Sequence, residues 1–496
     1  MKLTIEQVNW ETLGTDGLVV PVAEGKFDEL PDELRALVPP AAQSQFAGKL
    51  DDCLVLYSSA GTVTRLVLVG LGRDNETWPR AERFRRAVGV GAKSIASLKG
   101  RHVHLFVGSR TDARSLHDAV LISLIAPYRY EKHRTKSEDK LAEFLSLTLL
   151  TDEQIETKKF RPALLHAAAV ANAVKATRDL VNAPSNTLTP TLLAQAAKQL
   201  ETLADTIHVS VLDEPSLEQE RFGALLAVAR GSDEEAQLIT IDYTPKKNVG
   251  KTVALVGKGV TFDTGGVNLK PETGIAGMHM DMAGAATVFG TIMAAAQLGL
   301  PIRIIGVIPA TENMPSGAAL KPGDVITARS GKTIEIANTD AEGRLILADG
   351  LDWALQFEPD LILDAATLTG AALVALGEER GAVIGNDEDL IEQLWEAGEQ
   401  VGERIWELPL DDAYREHVKS EMADVRNLGQ GRQAGTIAGA AFLEHFVPKE
   451  TPWAHIDLAG PAMRSKATAY EPKGGTGWGV RLLVEFLTTY ASRPKE

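Results

Sequence analysis

"KTIEIANTDAEGRLILADGLDWALQF", residues 332–357, joins two periodicities through a polar knot. KTIEIA (332–337) alternates apolar and polar side chains, the period-2 pattern of a strand. LILADGLDWALQF (345–357) spaces its apolar residues by three and four, the pattern of a helix. Between them NTDAEGRL (338–345) sets Asp340, Glu342 and Arg344 two apart. On a helix such positions do not share a face, whereas on an extended segment they do. The spacing therefore predicts an extended strand-to-helix junction with three charges projecting into one cavity. The same residues also fit a helix start, with Asp340 as cap, Glu342 complementing the helix dipole and Arg344 on the surface. In either case a strand leads into a helix, the unit from which α/β folds are built.

Outward from this stretch the alternation continues. KTVALVGKGV (251–260), PIRIIGVIPA (301–310), DLILDAATL (360–368) and WAHIDLAG (453–460) read as strands, most of them separated by helical patterns. This predicts a mostly parallel central sheet covered by helices on both faces. In such sheets ligands gather at the carboxyl ends of strands. Lys258, Asp263, Asp340, Asp364 and Asp457 are all expected there. Toward the N-terminus GLVVPVA (17–23), CLVLYSS (53–59), RLVLVGLG (65–72) and HVHLFVG (102–108) form a second α/β pattern, with PRAERFRRAVGVGAKSIASL (79–98) as a helix. At 496 residues the chain exceeds the size of a single core, so two domains are expected, 1–165 and 166–496.

Composition excludes several classes. Apolar residues make up 44% and charged residues 24%, the balance of a soluble globular protein. MKLTIEQVNW (1–10) alternates like a first strand rather than reading as a charged-then-apolar leader, and AGAATVFGTIMAAAQLGL (283–300) reads as a buried helix, not a membrane span. A cytoplasmic setting without membrane partners is expected. The single cysteine, Cys53, excludes an internal disulfide framework and a thiolate metal cluster, and its strand-like setting predicts core packing. The net charge of −16 opposes nonspecific binding to nucleic acid. RAERFRR (80–86) and YRYEKHRTK (128–136) are the candidate basic stripes, each also readable as a solvated helix face or loop.

The chemistry concentrates in VGKGVTFDTGGVNLKPETGIAGMHMDMAGAA (256–286). Lys258 ends a strand, Asp263 and Lys270 follow, and Asp281 opens the Ala/Gly-rich helix, where it also fits as a plain cap. The spacing of a phosphate-binding P-loop is absent. Asp263, Asp281, Asp340 and Glu342 in one pocket outnumber Lys258, Lys270 and Arg344, and crowded carboxylates raise one another's pKa. Divalent ions resolve that imbalance, and hard oxygen donors suit Mg²⁺, Mn²⁺ and Zn²⁺.

NTDAEGRL (338–345), VGKGVTFDTGG (256–266), DMAGAA (281–286), ENMPSG (312–317) and ATLTGA (366–371) together resemble the leucyl (cytosol) aminopeptidases. DLVNAPSN (179–186), WAHIDLAG (453–460) and GGTGWGVRLL (474–483) extend the likeness. The resemblance implies an N-terminal macro-domain-like α/β module and a C-terminal catalytic α/β domain. It implies metal ligands at Lys258, Asp263, Asp281, Asp340 and Glu342 and a catalytic pair at Lys270 and Arg344, the arginine holding bicarbonate as general base. It implies two divalent ions (Mn²⁺ or Zn²⁺), a homohexamer, and a pocket for an apolar first residue lined by Met278, Thr367, Leu368, Gly370, Ala459 and Ala462. His279 stands where a Lys or Arg is common in the family, and His455 reads as a hydrogen-bonded core residue. Two other readings keep the fold: hydrolysis of dipeptides such as cysteinylglycine, and an added DNA-binding role.

Overall fold

The computed structural model of the chain describes residues 1–57, 63–74, 77–135, 141–247, 249–431 and 433–494. Two compact units form: Met1–Lys175 with Ser465–Lys473, and Ala176–Arg464 with Gly474–Glu496.

The first unit carries β1 (Lys2–Gln7), β2 (Gly17–Val22), β3 (Cys53–Tyr57), β4 (Arg65–Gly70), β5 (His102–Gly108) and β6 (Ser146–Thr151), in the order β1-β6-β5-β2-β4-β3. All neighbours are parallel except β3, which runs antiparallel along the edge. Helices α1 (Arg80–Ser97) and α2 (Ala113–Ile125) flank it, and α3 (Thr157–Val181) runs without a break through the expected boundary at 165/166. Every residue of GLVVPV in β2 is buried, as a central parallel strand covered on both faces requires.

Two expectations are corrected here. Cys53 is exposed rather than core-packed, because it opens the edge strand; its Sγ lies 3.3 Å from Ser94 Oγ. RAERFRR is neither a basic stripe nor a solvated face. Arg83 and Arg85 are buried in α1, Arg83 donating to the Leu71 carbonyl and Arg85 to Asp118 (2.7 Å) and Glu82 (3.1 Å), while Arg86 pairs with Asp51.

The second unit carries β7 (Ile207–Leu212), β8 (Gln237–Tyr243), β9 (Thr252–Gly257), β10 (Gly259–Asp263), β11 (Arg303–Asn313), β12 (Val325–Thr327), β13 (Thr333–Glu335), β14 (Leu361–Ala366), β15 (Gly381–Gly385), β16 (Ile405–Glu407), β17 (Val425–Arg426) and β18 (Trp453–Asp457). The large sheet has the order β16-β15-β18-β14-β9-β11-β8-β7, with β10 also on β11. Its centre, β18-β14-β9-β11, is parallel, and antiparallel pairs lie toward the edges. Helices α4 (Ala283–Leu298), α5 (Gly343–Leu355), α6 (Gly370–Leu376) and α7 (Gly435–Glu444) accompany it. Val256, Ile362 and Trp453 from the sheet pack with Leu345 and Ala348 of α5 and Ala441 and Phe442 of α7 in one core. Among the described residues no helix is long and apolar enough to cross a membrane.

The local geometry of the opening stretch differs from expectation. β13 belongs to a small separate sheet with β12 and β17. NTDAEGRL is not extended: residues 339–340 form a turn and the helix begins at Gly343. Short polar side chains compete with strand pairing here. Asn338 Oδ1 accepts from the Asp340 N–H (2.8 Å), and Asn427 Oδ1 accepts from the Ala337 N–H (2.8 Å). Asp364 is also relocated. It lies inside β14 rather than at its end, fully buried.

Candidate metal centre and active site

Strand ends and one helix start build the site. Lys258 follows β9, Asp263 ends β10, Thr367 follows β14, and Glu342 immediately precedes α5. What the sequence shows as one strand, KTVALVGKGV, is broken at Lys258, where the chain leaves β9 and enters β10. That break turns the lysine inward. Its Nζ lies 2.8 Å from Asp281 Oδ2 and 2.8 Å from Glu342 Oε1, and donates to the Thr367 carbonyl (3.0 Å). Asp281 is therefore no helix cap; its other oxygen accepts from Thr367 Oγ1 at 2.8 Å. Gly343 lets this happen, since a Cβ there would lie 2.6 Å from Lys258 Cε.

Lys270 Nζ lies 2.7 Å from Asp263 Oδ2 and also bonds Asp340. Asp263, Asp340 and Glu342 each bring one carboxylate oxygen within 4.8 Å of the others. A second layer, which the motif reading passed over, holds them there. Asn313 Nδ2 donates to Asp263 Oδ1 (2.9 Å) and to the Thr339 carbonyl (3.0 Å), and the Gly265 N–H donates to Asp263 Oδ1 (2.7 Å). Asn268 Oδ1 accepts from the Thr339 N–H at 2.9 Å, and Thr339 Oγ1 donates to the Gly265 carbonyl at 2.7 Å. Asn313 is the last residue of β11 and lies within ENMPSG, so that block was its one visible signal.

The charges are out of balance. Burial and the neighbouring Glu342 push Asp263 up to about 6, against the pull of Lys270 and Lys258. Burial also lifts Asp281 and Asp340. Burial acts against Glu342 too, but Lys258 and Lys270 outweigh it and hold that carboxyl below its usual range. Lys258 resists burial through the attraction of Asp281, Glu342 and Asp263, and Lys270 through that of Asp263 and Glu342, so both stay above the ordinary lysine value. Such crowding of acids marks a place built for more positive charge than the chain supplies.

Arg344, in the first turn of α5, is 5% exposed. Burial lowers its pKa to about 10 against the attraction of Glu342 and Asp457. Its Nε and Nη1 are buried and have no hydrogen-bond partner. A guanidinium with unused donors has the chemistry to bind a small oxyanion.

The expected substrate-side residues sit beside the carboxyl ends of β14 and β18. Thr367 touches Asp281, as above. The Leu368 N–H donates to Asp457 Oδ1 (3.1 Å), Gly370 opens α6, and the Ala459 N–H donates to Asp457 Oδ1 (3.2 Å). Ala462 is buried beyond them, donating to the Leu458 carbonyl. Met278 and His279 lie in the short turn Met278–Met280 just before Asp281, both partly buried.

Comparison with known proteins identifies the family. The profile of the cytosol aminopeptidase family, catalytic domain, matches residues 175–484, and that of the family's N-terminal domain matches 16–137. A probable cytosol aminopeptidase of Syntrophotalea carbinolica is 43% identical over 488 residues, covering 96% of this chain and 97% of the relative. Among solved structures, the bottromycin maturation enzyme BotP in complex with Mn superposes with a TM-score of 0.85 at 33% identity, covering 97% of this chain and 100% of that one. A tomato leucine aminopeptidase mutant gives 0.86 at 30% identity, with 99% and 96% covered. The carboxylate cluster thus lies inside the stretch matched by the family's catalytic domain, residues 175–484: the chain belongs to the cytosol aminopeptidase family.

Proposed function

We propose that this chain is a metal-dependent aminopeptidase that removes N-terminal residues, Leu and other apolar ones preferred, from peptides. One observation carries the reading: three carboxylates within 4.8 Å of one another, adjoining a buried arginine with unused donors. All-oxygen donors of this kind fit hard or borderline divalent ions. Asp263 and Glu342 would serve both ions, Lys258 and Asp281 would hold the tighter one, and Asp340, the most open at 32% side-chain exposure, would hold the exchangeable one. Two ions, Mn²⁺ or Zn²⁺, would supply the charge that polarises the scissile carbonyl and acidifies the attacking water. The Mn complex of BotP supports manganese as one of them.

The chain's own groups do the rest. Lys258 binds a metal only as a neutral amine, yet its carboxylate neighbours raise its pKa. Lys258 would give up its proton only if dications took over the neutralisation of Asp281 and Glu342. Lys270 keeps its ammonium and donates to the developing oxyanion. Arg344 would hold bicarbonate with its guanidinium, and that anion would supply the acceptor for the water's proton. Met278, Thr367, Leu368, Gly370, Ala459 and Ala462 receive the first side chain. A lining of this kind separates apolar residues only weakly, since one methylene is worth about 1–3 kcal/mol. A homohexamer and a cytoplasmic location belong to the same proposal.

The deciding experiment is hydrolysis of a leucine anilide before and after chelation, with Mn²⁺ or Zn²⁺ added back. Loss and recovery of activity support the reading, and full activity in protein shown metal-free by elemental analysis refutes it. Running cysteinylglycine alongside tests the dipeptidase alternative.

A further inference from the structure

Two polar groups of the second unit have no part in the proposal above. Asp364 in β14 and His455 in β18 face each other across the parallel pair and are both 0% exposed. Asp364 Oδ2 accepts from Trp453 Nε1 at 2.8 Å, and its Oδ1 lies 2.5 Å from His455 Nδ1. A carboxylate accepts, so Nδ1 donates and the imidazole's orientation is set. The other ring nitrogen, Nε2, is buried with no hydrogen-bond partner. A polar atom sealed from water without a partner is costly and rare.

Arg344 has the same anomaly. Its Nε and Nη1 are buried without partners. The two side chains belong to one layer. On β18 alternate residues share a face, so His455 lies on the side of Trp453 and Asp457, and Trp453 packs in the core with α5 and α7. Arg344 is the second residue of α5, and a Cβ on Gly439 of α7 would lie 3.5 Å from its Nη2. Burial presses the His455 pKa down and Asp364 and Asp457 lift it, with a net rise; Arg344 pulls it down, so the two groups feel each other's charge.

We infer that Asp364 and His455 are a positioning pair for Arg344: Nε2 of the oriented imidazole holds the guanidinium across one water molecule, and fixes how its remaining donors meet the anion. The inference rests on the role given to Arg344 in the proposed function. Trp453 and Asp364 anchor the imidazole from below, so the chain Trp453–Asp364–His455–Arg344 runs from the sheet core to the site. Neither Asp364 nor His455 is a catalytic residue in this scheme; both act through the arginine.

The test is a mutant cycle on the metal-loaded enzyme. His455→Gln, Asp364→Asn, Arg344→Met and the double variants with Arg344→Met are assayed for kcat, KM and metal content. Loss of outer-layer partners typically costs about 10–100-fold. The expectation is a kcat lowered on that scale by His455→Gln and by Asp364→Asn, with KM within about twofold and metal content unchanged. In the Arg344→Met background neither substitution lowers kcat further. Equal losses in both backgrounds, or loss of metal in the single variants, overturn the inference and leave the pair a core element. Arg344→Met with wild-type kcat overturns the role of Arg344 and the inference together, and so is told apart from failure of the pair alone. If His455→Gln does not fold, the nearly isosteric Asp364→Asn carries the cycle.

Discussion

Both units bury a knot of charged side chains, and the two knots are balanced differently. In the first, Arg85 lies between Glu82 and Asp118, Arg114 and His117 also reach Asp118, and the Tyr470 hydroxyl donates to Glu82. Each acid has a cation, and Asp118, although buried, is held far below the usual carboxylate range by Arg85, His117 and Arg114. In the second, Asp263, Asp281, Asp340 and Glu342 share Lys258 and Lys270, and three of the four acids are pushed up. Similar residue types at similar burial thus give a closed circuit in one unit and an unfinished one in the other. The sum of local charge, rather than the presence of buried acids, separates a structural knot from the proposed cation site.

The comparison breaks most sharply at the carboxylates. Replacing Asp263 or Glu342 by Ala should abolish metal binding and reduce hydrolysis to that of chelated enzyme, measured by elemental analysis and a leucine anilide assay on the same samples. Next in size is the contrast between two cations. Arg344→Ala should keep the metals and lower kcat by about 10²–10⁴-fold, the usual worth of a positioned general base. Lys258→Ala should lose the tighter metal, with part of the activity returning in excess Mn²⁺. Retained metals in Lys258→Ala and lost metals in Arg344→Ala would reverse the two roles.

In the first unit the signs differ. Asp118→Ala removes the carboxylate paired with Arg85 Nε and should cost about 3 kcal/mol, the lower end for breaking a buried pair, seen as a lower urea midpoint. Metal content and kcat at moderate temperature should stay at wild-type values; a large loss of metal would mean the two knots are not independent. The smallest effect is acid sensitivity. Asp118 has a folded pKa below its unfolded value near 3.8, so its stabilisation is complete above that value and is lost as pH falls beneath it. The stability difference between wild type and Asp118→Ala should be constant from pH 7 to 5 and shrink below about pH 4, measured by urea unfolding across that range.

Much of this was legible in the residues, for reasons that differ by region. The central strands were visible because a parallel strand covered on both faces must be apolar throughout, as VALVG (253–257) and LIL (361–363) are. The blocks around Lys258, Asp263 and NTDAEGRL were visible as motifs. The path by which Asp340 and Glu342 reach Asp263 was not. It depends on an asparagine-stapled turn whose partners, Asn268 and Asn427, lie some seventy to ninety residues away. Buried arginines were missed for a similar reason. RAERFRR looks solvated until Asp118 and Glu82 are known to face it. Cys53 was misplaced because an edge strand and a central one share the same short-range pattern.

The position of β18 has a consequence for synthesis. It lies between β14 and β15 in the sheet, although roughly seventy residues separate the end of β15 from its start. On a ribosome adding about 5–20 residues per second, β14 and β15 are made seconds before the strand that joins them. During that interval each presents a bare edge to its surroundings, an invitation to wrong pairing that a chaperone or rapid helix docking must hold off. The order of synthesis therefore keeps the sheet open between β14 and β15 until residue 457 has been added.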